Sequence, residues 1–171
     1  MERLEGFEMN KEVLDKIEES ADDMKEDLIK MLTYKAIGPN NFGEGELEKA
    51  EFVIDLIEDF GFDEIKRFDA EDDRVPSGVR PNIMAFKKGK TDKNIVIISH
   101  LDIVPEGDLD EWNTDPFDPV FKNGKIYGRG SEDNGQALIA SIYAAKAFTD
   151  TNTKPKHNLK IFIVSDEETG S

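Results

Sequence analysis

Apolar residues near the start of the chain recur at the three- and four-residue spacing of an amphipathic helix. Between Lys11 and about Ala36 these positions alternate with acids and lysines, which predicts one long helix with a solvated, charged face. A turn-rich segment follows over 37–46, and a second helical repeat runs from Ala50 to Ile57, with Gly61 placed to end it. The first third of the chain is therefore predicted to be helical.

Beyond Gly61 the pattern changes to short apolar runs that are typical of β-strands. Runs over 64–68 and 83–86 predict two strands separated by a polar loop. The continuous apolar run over 94–99 suits a central strand that is buried on both faces. The Asn123-Gly124 pair, flanked by apolar dipeptides, is a strong hairpin signal.

The last third of the chain combines a buried helix with a second buried strand. Residues 137–148 are apolar on most faces of a helix, and 159–164 form another continuous apolar run. The order strand, hairpin, helix, strand predicts an α/β sheet with a right-handed crossover connection.

Composition narrows the classes of function. The 171 residues suit one domain, and 38 acidic against 22 basic residues leave a net charge of −16, which disfavours nucleic acid and anionic membrane surfaces as partners. Cysteine is absent, so a metal would have to be held by histidine and carboxylate. No apolar run is long enough for a membrane span, and the first ten residues lack the apolar core of a signal peptide. A cytoplasmic location is expected.

Polar clusters follow the two buried strands. One strand runs into His100 and Asp102, the other into Glu167 and Glu168, and Asp133 precedes the buried helix. If the two strands are parallel, His100, Glu167 and Glu168 emerge at the carboxyl edge of the sheet, where open α/β sheets place their sites, and Asp133 arrives there at the entrance of the helix. An imidazole nitrogen with several carboxylates suits zinc, manganese or cobalt.

These residues can divide the work of such a site, although each also has a structural interpretation. Asp102 can reach the ring nitrogen of His100 that does not face a metal, and of the adjacent Glu167 and Glu168 one could bind metal while the other acts as a base. Alternatively, His100 is a structural hydrogen-bonding residue, Asp102 caps a turn, and Asp133 is the N-cap of the following helix.

Four motifs then occur together and in a characteristic order: SHLDIVPEGD, WNTDPF, GKIYGRGSEDNG and SDEETGS. Their combination resembles the M20 metallopeptidase family, which includes succinyl-diaminopimelate desuccinylase, acetylornithine deacetylase and PepV-type dipeptidases. The similarity runs from about Gly38 to the last residue. It implies an α/β fold whose sheet is mostly parallel with helices on both faces.

The resemblance also implies a role for each candidate residue. His100 would bind one metal ion, Asp102 would orient His100, and Asp133 would bridge two metal ions. Glu167 would be the general base and acid, and Glu168 would bind the second metal ion. The cofactors implied are two divalent ions, zinc first and cobalt or manganese as alternatives, and a cis peptide is implied between Asp133 and Asn134.

The chain departs from the family pattern in two respects. Many relatives have an acidic or Met residue, then Lys and Gly, after the bridging aspartate, whereas Asn134, Gly135 and Gln136 follow Asp133 here. Family members are also much longer, with a further carboxylate ligand, a lid or dimerisation domain and a late histidine ligand. Residues 1–171 are therefore expected to be the N-terminal portion of the catalytic domain, without the lid domain or the C-terminal part, and each metal would lack one protein ligand.

The resemblance implies a hydrolase that cleaves an amide bond of a small N-acyl amino acid with a metal-activated water. A dipeptidase of the same family is one alternative. A catalytically inert fragment or weak metal binder is another, because ligands are missing. The partner would be a small-molecule substrate, and the full-length form is expected to be a homodimer.

Overall fold

The computed structural model describes residues 10–170, so nine of the first ten residues, which lack the apolar core of a signal peptide, lie outside the described residues. Four α-helices and six β-strands make up the regular structure of this part of the chain. They are α1 (Lys11–Glu19), α2 (Ala21–Leu32), α3 (Leu47–Glu58), β1 (Glu64–Glu71), β2 (Val79–Lys87), β3 (Asn94–His100), β4 (Val120–Lys122), β5 (Lys125–Tyr127), α4 (Gln136–Asp150) and β6 (Asn158–Val164).

The first predicted helix is two helices that meet at Ser20. Ser20 has a backbone ψ of 5°, outside the helical range, and its hydroxyl donates to the carbonyl of Lys16 at 2.9 Å. A serine hydroxyl that bonds back to the preceding turn competes with the helical hydrogen bonds and bends the chain. The prediction of one uninterrupted helix to about Ala36 was therefore wrong.

Strands β1, β2, β6 and β3 lie side by side in that order in one sheet, and β4 pairs with β5 in a separate hairpin. The pairs β1–β2 and β2–β6 are antiparallel, and β3–β6 is parallel. The α/β class is confirmed, but the sheet is mixed and not mostly parallel over the described residues. The short loop over 72–78 can join β1 and β2 only as antiparallel neighbours, since a parallel pair needs a long crossover such as the one that carries α4.

One face of the sheet packs against the helices and forms the core. The buried cluster combines residues of β2 and β6 with residues of α2, α3 and α4; its members include Met31, Leu32, Val53, Ile57, Ile83, Leu138, Ile139, Ile142, Ile161 and Ile163. Alternate strand residues point to opposite faces, so a single set of positions fills this core.

The opposite face of the sheet is open in the described part of the chain. Its residues include Phe68, Val96 and Ile98, whose exposed fractions are 53%, 52% and 67%. The expected helices on both faces are therefore found on one face only. Strand β3, predicted to be central and buried, is an edge strand here because β6 is its only partner among the described strands.

The hairpin prediction is confirmed. Asn123 and Gly124 both have positive φ, 54° and 75°, as a two-residue type I′ turn requires.

Among the residues described, no helix has the length and apolarity that a membrane span needs.

Candidate metal centre

The parallel pairing of β3 and β6 brings two strand ends together. His100 is the last residue of β3 and lies opposite Val164, the last residue of β6. The pairing continues beyond the strands, because the Leu101 amide donates to the Val164 carbonyl at 2.7 Å. The segments that follow, one with Asp102 and the other with Glu167 and Glu168, therefore leave the sheet side by side.

Asp133 reaches the same edge from a kinked turn, Ser131–Gly135, ahead of α4. Asp133 and Asn134 have non-helical backbone angles, and a cis peptide bond joins them, as the resemblance implied. Gly130 has a φ of 79°, and a Cβ there would lie 2.6 Å from Ile103 Cγ2, so only glycine fits. The N-cap position of α4 is Gly135, so Asp133 is not the N-cap of that helix.

Three of the candidate residues converge on one point. Ligand atoms of His100, Asp133 and Glu168 all lie within 4.8 Å of one another, with His100 Nε2 3.0 Å from Asp133 Oδ1. His100 is buried, whereas the Asp133 side chain is 74% exposed. The structure thus groups all three residues that the resemblance implied as metal ligands.

The donor set fits a divalent cation. The Nδ1 atom of His100 lies 2.9 Å from the main-chain oxygen of Asp102, which can only accept, so the neutral ring carries its proton on Nδ1. The lone pair of Nε2 then faces a carboxylate at 3.0 Å. Two acceptors at this distance are satisfied by a cation between them, and one imidazole with two carboxylates suits zinc, cobalt or manganese.

Glu167 and Glu168 follow Asp166 in a single 3₁₀ turn and differ in their surroundings. Glu167 Oε2 lies 3.9 Å from His100 Nε2, and its side chain is 58% exposed. Burial raises the pKa of Glu168, and the nearby carboxylate of Asp133 raises it further. A cation bound between these carboxylates would relieve this repulsion.

Asp102 caps a turn, as its structural interpretation expected, but the turn lies on a segment far from it in the sequence. Its carboxylate lies 3.6 Å from His100 Nδ1, farther than its own main-chain oxygen. The two carboxylate oxygens instead accept the backbone N–H groups of Glu167 at 3.1 Å and Glu168 at 2.9 Å. Asp102 therefore holds the His100 ring through its main chain and caps the turn that carries both glutamates.

Buried charges behind the centre were missed by the sequence analysis. Lys49 donates to the Leu101 carbonyl at 2.7 Å, and burial lowers its pKa to about 8 although Asp102 and Glu46 oppose the shift. The buried guanidinium of Arg80 bonds Glu46 and Asp166. Burial alone would lower the pKa of Arg80, but these hydrogen bonds outweigh it and raise the pKa. No motif or spacing distinguishes these residues from the many charged residues on the surface.

A cavity of about 650 Å³ adjoins the three-residue cluster, with Asp133 and Glu168 in its wall. The guanidinium of Arg129, which also lines it, lies 5.3 Å from the ring of Trp112 and donates to the Glu106 carbonyl. Trp112 donates to the same carbonyl, so it helps to hold the long loop beside the site. A small molecule can therefore approach the cluster from this side.

Comparisons with known proteins agree with this geometry. Residues 96–171 match the sequence profile of Peptidase family M20/M25/M40. An uncharacterized metallohydrolase of Methanocaldococcus jannaschii is 42% identical over 165 residues, a match to 92% of this chain and 38% of that protein. Succinyl-diaminopimelate desuccinylase of Buchnera aphidicola is 34% identical over 142 residues, covering 83% of this chain and 34% of the enzyme.

A solved structure of a di-peptidase from Saccharomyces cerevisiae superposes with a TM-score of 0.80 at 25% identity, over 94% of this chain and 35% of that one. The chain thus spans less than two fifths of the length of each of these proteins. The sequence matches, the shared fold and the cluster of His100, Asp133 and Glu168 together show that the chain belongs to the M20/M25/M40 peptidase family, within its metallohydrolase catalytic domain.

Proposed function

We propose that this chain supplies part of the metal centre of a hydrolase that cleaves the amide bond of a small N-acyl amino acid. The observation that carries the proposal is the convergence of His100, Asp133 and Glu168, with the carboxylate of Glu167 beside them. One buried imidazole, two carboxylate ligands and a separate carboxylate that is free to act as a base are the groups that metal-assisted hydrolysis requires.

Two divalent ions are proposed, zinc first and cobalt or manganese as alternatives. His100 and Asp133 would hold one ion, and Asp133 and Glu168 the other, with Asp133 bridging. When bound, the ions supply the positive charge that makes a water nucleophilic near neutral pH. The described residues offer three ligands, so further ligands from protein, substrate or water would complete both coordination shells.

Glu167 is proposed as the proton carrier. Its side chain is more than half exposed, so it can reach a water on the open side of the cluster and accept its proton. After attack on the amide carbonyl, the leaving nitrogen needs a proton, and the same carboxyl group can return it. The products are a carboxylic acid and an amine.

Two substrate classes follow from the relatives. The similarity to a desuccinylase supports an N-acyl amino acid, and the similarity to a di-peptidase supports a dipeptide. Both substrates contain an amide bond that the same groups can cleave. An assay with N-succinyl amino acids, N-acetyl amino acids and dipeptides, each with zinc or cobalt, would rank the two substrate classes.

A cytoplasmic location and a homodimer of the full-length protein remain proposals.

The proposal is tested by Glu167→Ala in a form of the protein that hydrolyses one of these substrates. Loss of the proton carrier should lower kcat by roughly 10²- to 10⁴-fold while metal content stays unchanged. Glu111→Ala, at an exposed carboxylate on the loop that follows β3, is the matched control and should keep wild-type turnover. Near-normal turnover by the Glu167 variant, or loss of its metal ions, would refute the assigned role.

A third hypothesis is that the chain binds metal weakly and has no turnover, because each ion lacks a protein ligand. Hydrolysis of N-succinyl amino acids, N-acetyl amino acids and dipeptides at background rate by this 171-residue chain, with zinc bound, would support it. The same assay thus separates an active centre from an inert one.

A further inference from the structure

The turn that carries Glu167 and Glu168 is anchored from behind by an ion pair between the buried Arg80 and the half-buried Asp166. We infer that Arg80 and Asp166 are positioning residues, which hold Glu168 at the distance from His100 and Asp133 that a shared cation requires. The inference rests on the metal centre proposed above, but it concerns residues with no direct place among the ligands.

Arg80 lies at the start of β2, and its side chain is only 5% exposed. Its Nε donates to Glu46 Oε2 at 3.0 Å, and a second guanidinium nitrogen bonds the other oxygen of Glu46, which is fully buried. The remaining nitrogen, Nη1, lies 2.6 Å from Asp166 Oδ1. The planar guanidinium therefore joins a carboxylate near α3 to the residue immediately before Glu167, and a fixed fork of this kind sets direction as well as distance.

Gly38 leaves the space that the Arg80–Glu46 ion pair occupies. A Cβ on Gly38 would lie 2.9 Å from the Arg80 guanidinium and 3.7 Å from the Glu46 carboxylate. Glycine at that position lets the backbone pass directly over the ion pair. The pair is thus enclosed on one side by the loop that follows α2, which limits its freedom to move.

Asp166 transmits this position to the turn. It adopts a φ of 71° before the 3₁₀ turn, and its carboxylate also accepts the hydroxyl of Thr169. The Asn40 side chain donates to the same hydroxyl at 3.2 Å. The start and the end of the turn are therefore tied to one carboxylate that Arg80 holds.

Two further contacts complete the frame. The Ser165 amide donates to the Asn82 side chain at 3.1 Å, and the Ser165 hydroxyl donates to the Pro81 carbonyl at 2.6 Å. On the front side, Asp102 accepts the amides of Glu167 and Glu168. Glu168 is therefore held from β2 at one end and from the segment after His100 at the other.

The test is Asp166→Asn, because asparagine keeps the shape and also tolerates positive φ, while the charge that pairs with Arg80 is lost. In the metal-free chain, hydrogen exchange followed by NMR should show the amides of Glu167 and Glu168 exchanging at least about tenfold faster, since they lie on the loosened turn. Amides of β6 such as Ile161 and Ile163 should keep wild-type protection. Asp69→Asn, which removes a surface carboxylate paired with Arg67, is the matched control and should change neither.

The metal readout is the affinity for Co²⁺ and its visible absorption bands. Asp166→Asn should weaken Co²⁺ binding by about tenfold or more and change the bands, because residues that orient ligands typically have effects of this size. Wild-type exchange at Glu167 and Glu168 together with unchanged Co²⁺ binding would overturn the inference. A wild-type chain that binds no Co²⁺ would count against the proposed function, and the exchange data would still decide the positioning role.

If Asp166→Asn also loses protection throughout β6, the variant has not folded and Thr169→Val replaces it. That substitution removes one hydroxyl from the frame and leaves the buried Arg80–Glu46 pair intact. Faster exchange confined to Glu167 and Glu168 would support the inference, and wild-type exchange would contradict it.

Discussion

At the scale of single residues, the centre depends on charges that lie behind it. The ammonium group of Lys49, which is fully buried, donates to the carbonyl of Leu101, the residue between His100 and Asp102. Burial of a charged group is unfavourable, so the folded protein binds the Lys49 proton less tightly than the unfolded chain. The consequence can be measured as a dependence of stability on pH.

The pKa of Lys49 falls from 10.5 to about 8 on folding. Between these pH values the unfolded chain binds more protons than the folded protein, so this residue makes the free energy of unfolding rise as pH increases. The rise is at most roughly 3 kcal/mol, at 1.4 kcal/mol for each pH unit. Urea unfolding of wild type and Lys49→Met should be measured at intervals from pH 7.5 to 10.5. The free energy of unfolding of the wild type minus that of the variant should increase as pH rises.

Lys90→Met, at an exposed lysine in the loop between β2 and β3, serves as the control and should follow the wild-type profile. Parallel profiles of unfolding free energy against pH for wild type and Lys49→Met would show that folding does not lower the pKa of Lys49.

The residues of the cluster could be predicted from the sequence, and their detailed contacts could not. His100, Asp133 and Glu168 each stand beside an apolar segment whose end can be located, and the motifs supplied their association. The capping of Glu167 and Glu168 by Asp102 depends on the main-chain path of two segments about 65 residues apart. Hydropathy carries no signal for a contact of that kind, nor for the Arg80–Asp166 pair.

At the scale of elements, β3 combines two properties. Its last residue is His100, and its outer edge and one face are open in the described part of the chain. Ile98 is 67% exposed and Val96 is 52% exposed on that face. Exposed apolar sheet surface of this kind binds hydrophobic dyes and promotes association.

We therefore expect the chain to bind the dye anilinonaphthalene sulfonate, and Ile98→Lys to reduce its fluorescence substantially. Stability should change by no more than about 0.5 kcal/mol, because the side chain is mostly exposed. Leu109→Lys is the control, since Leu109 is 59% exposed but lies in a loop, away from the sheet. Equal losses of fluorescence in both variants, or none in either, would show that the sheet face is not the dye site.

Most elements were located correctly from periodicity and turn residues, but their arrangement was not. The apolar run of β3 indicated a central strand, yet a run that is apolar on both faces only shows that both faces can be buried. Strand direction was equally hidden, because it follows from connection length and from pairing between β2 and β6, which are far apart in sequence. The prediction of parallel β3 and β6 succeeded because the intervening hairpin and helix provide a long crossover.

At the scale of the whole molecule, a packed hydrophobic core positions a cluster of candidate metal ligands that is open to solvent on one side. The ends of β3 and β6 and the turn before α4 position the three residues of the cluster, and the net charge of −16 favours cations near a cluster of carboxylates. The same chain spans less than two fifths of the length of the three proteins compared above. We propose that the described residues alone form a cation site, whatever the turnover of the chain.

Calorimetric titration with zinc of the wild-type chain and of His100→Ala is the decisive experiment for this site. We expect saturable zinc binding to the wild-type chain and a loss of affinity of more than about tenfold in the variant, since His100 supplies the imidazole of the cluster. An absence of saturable binding to the wild-type chain, or identical isotherms for the two proteins, would contradict the proposal.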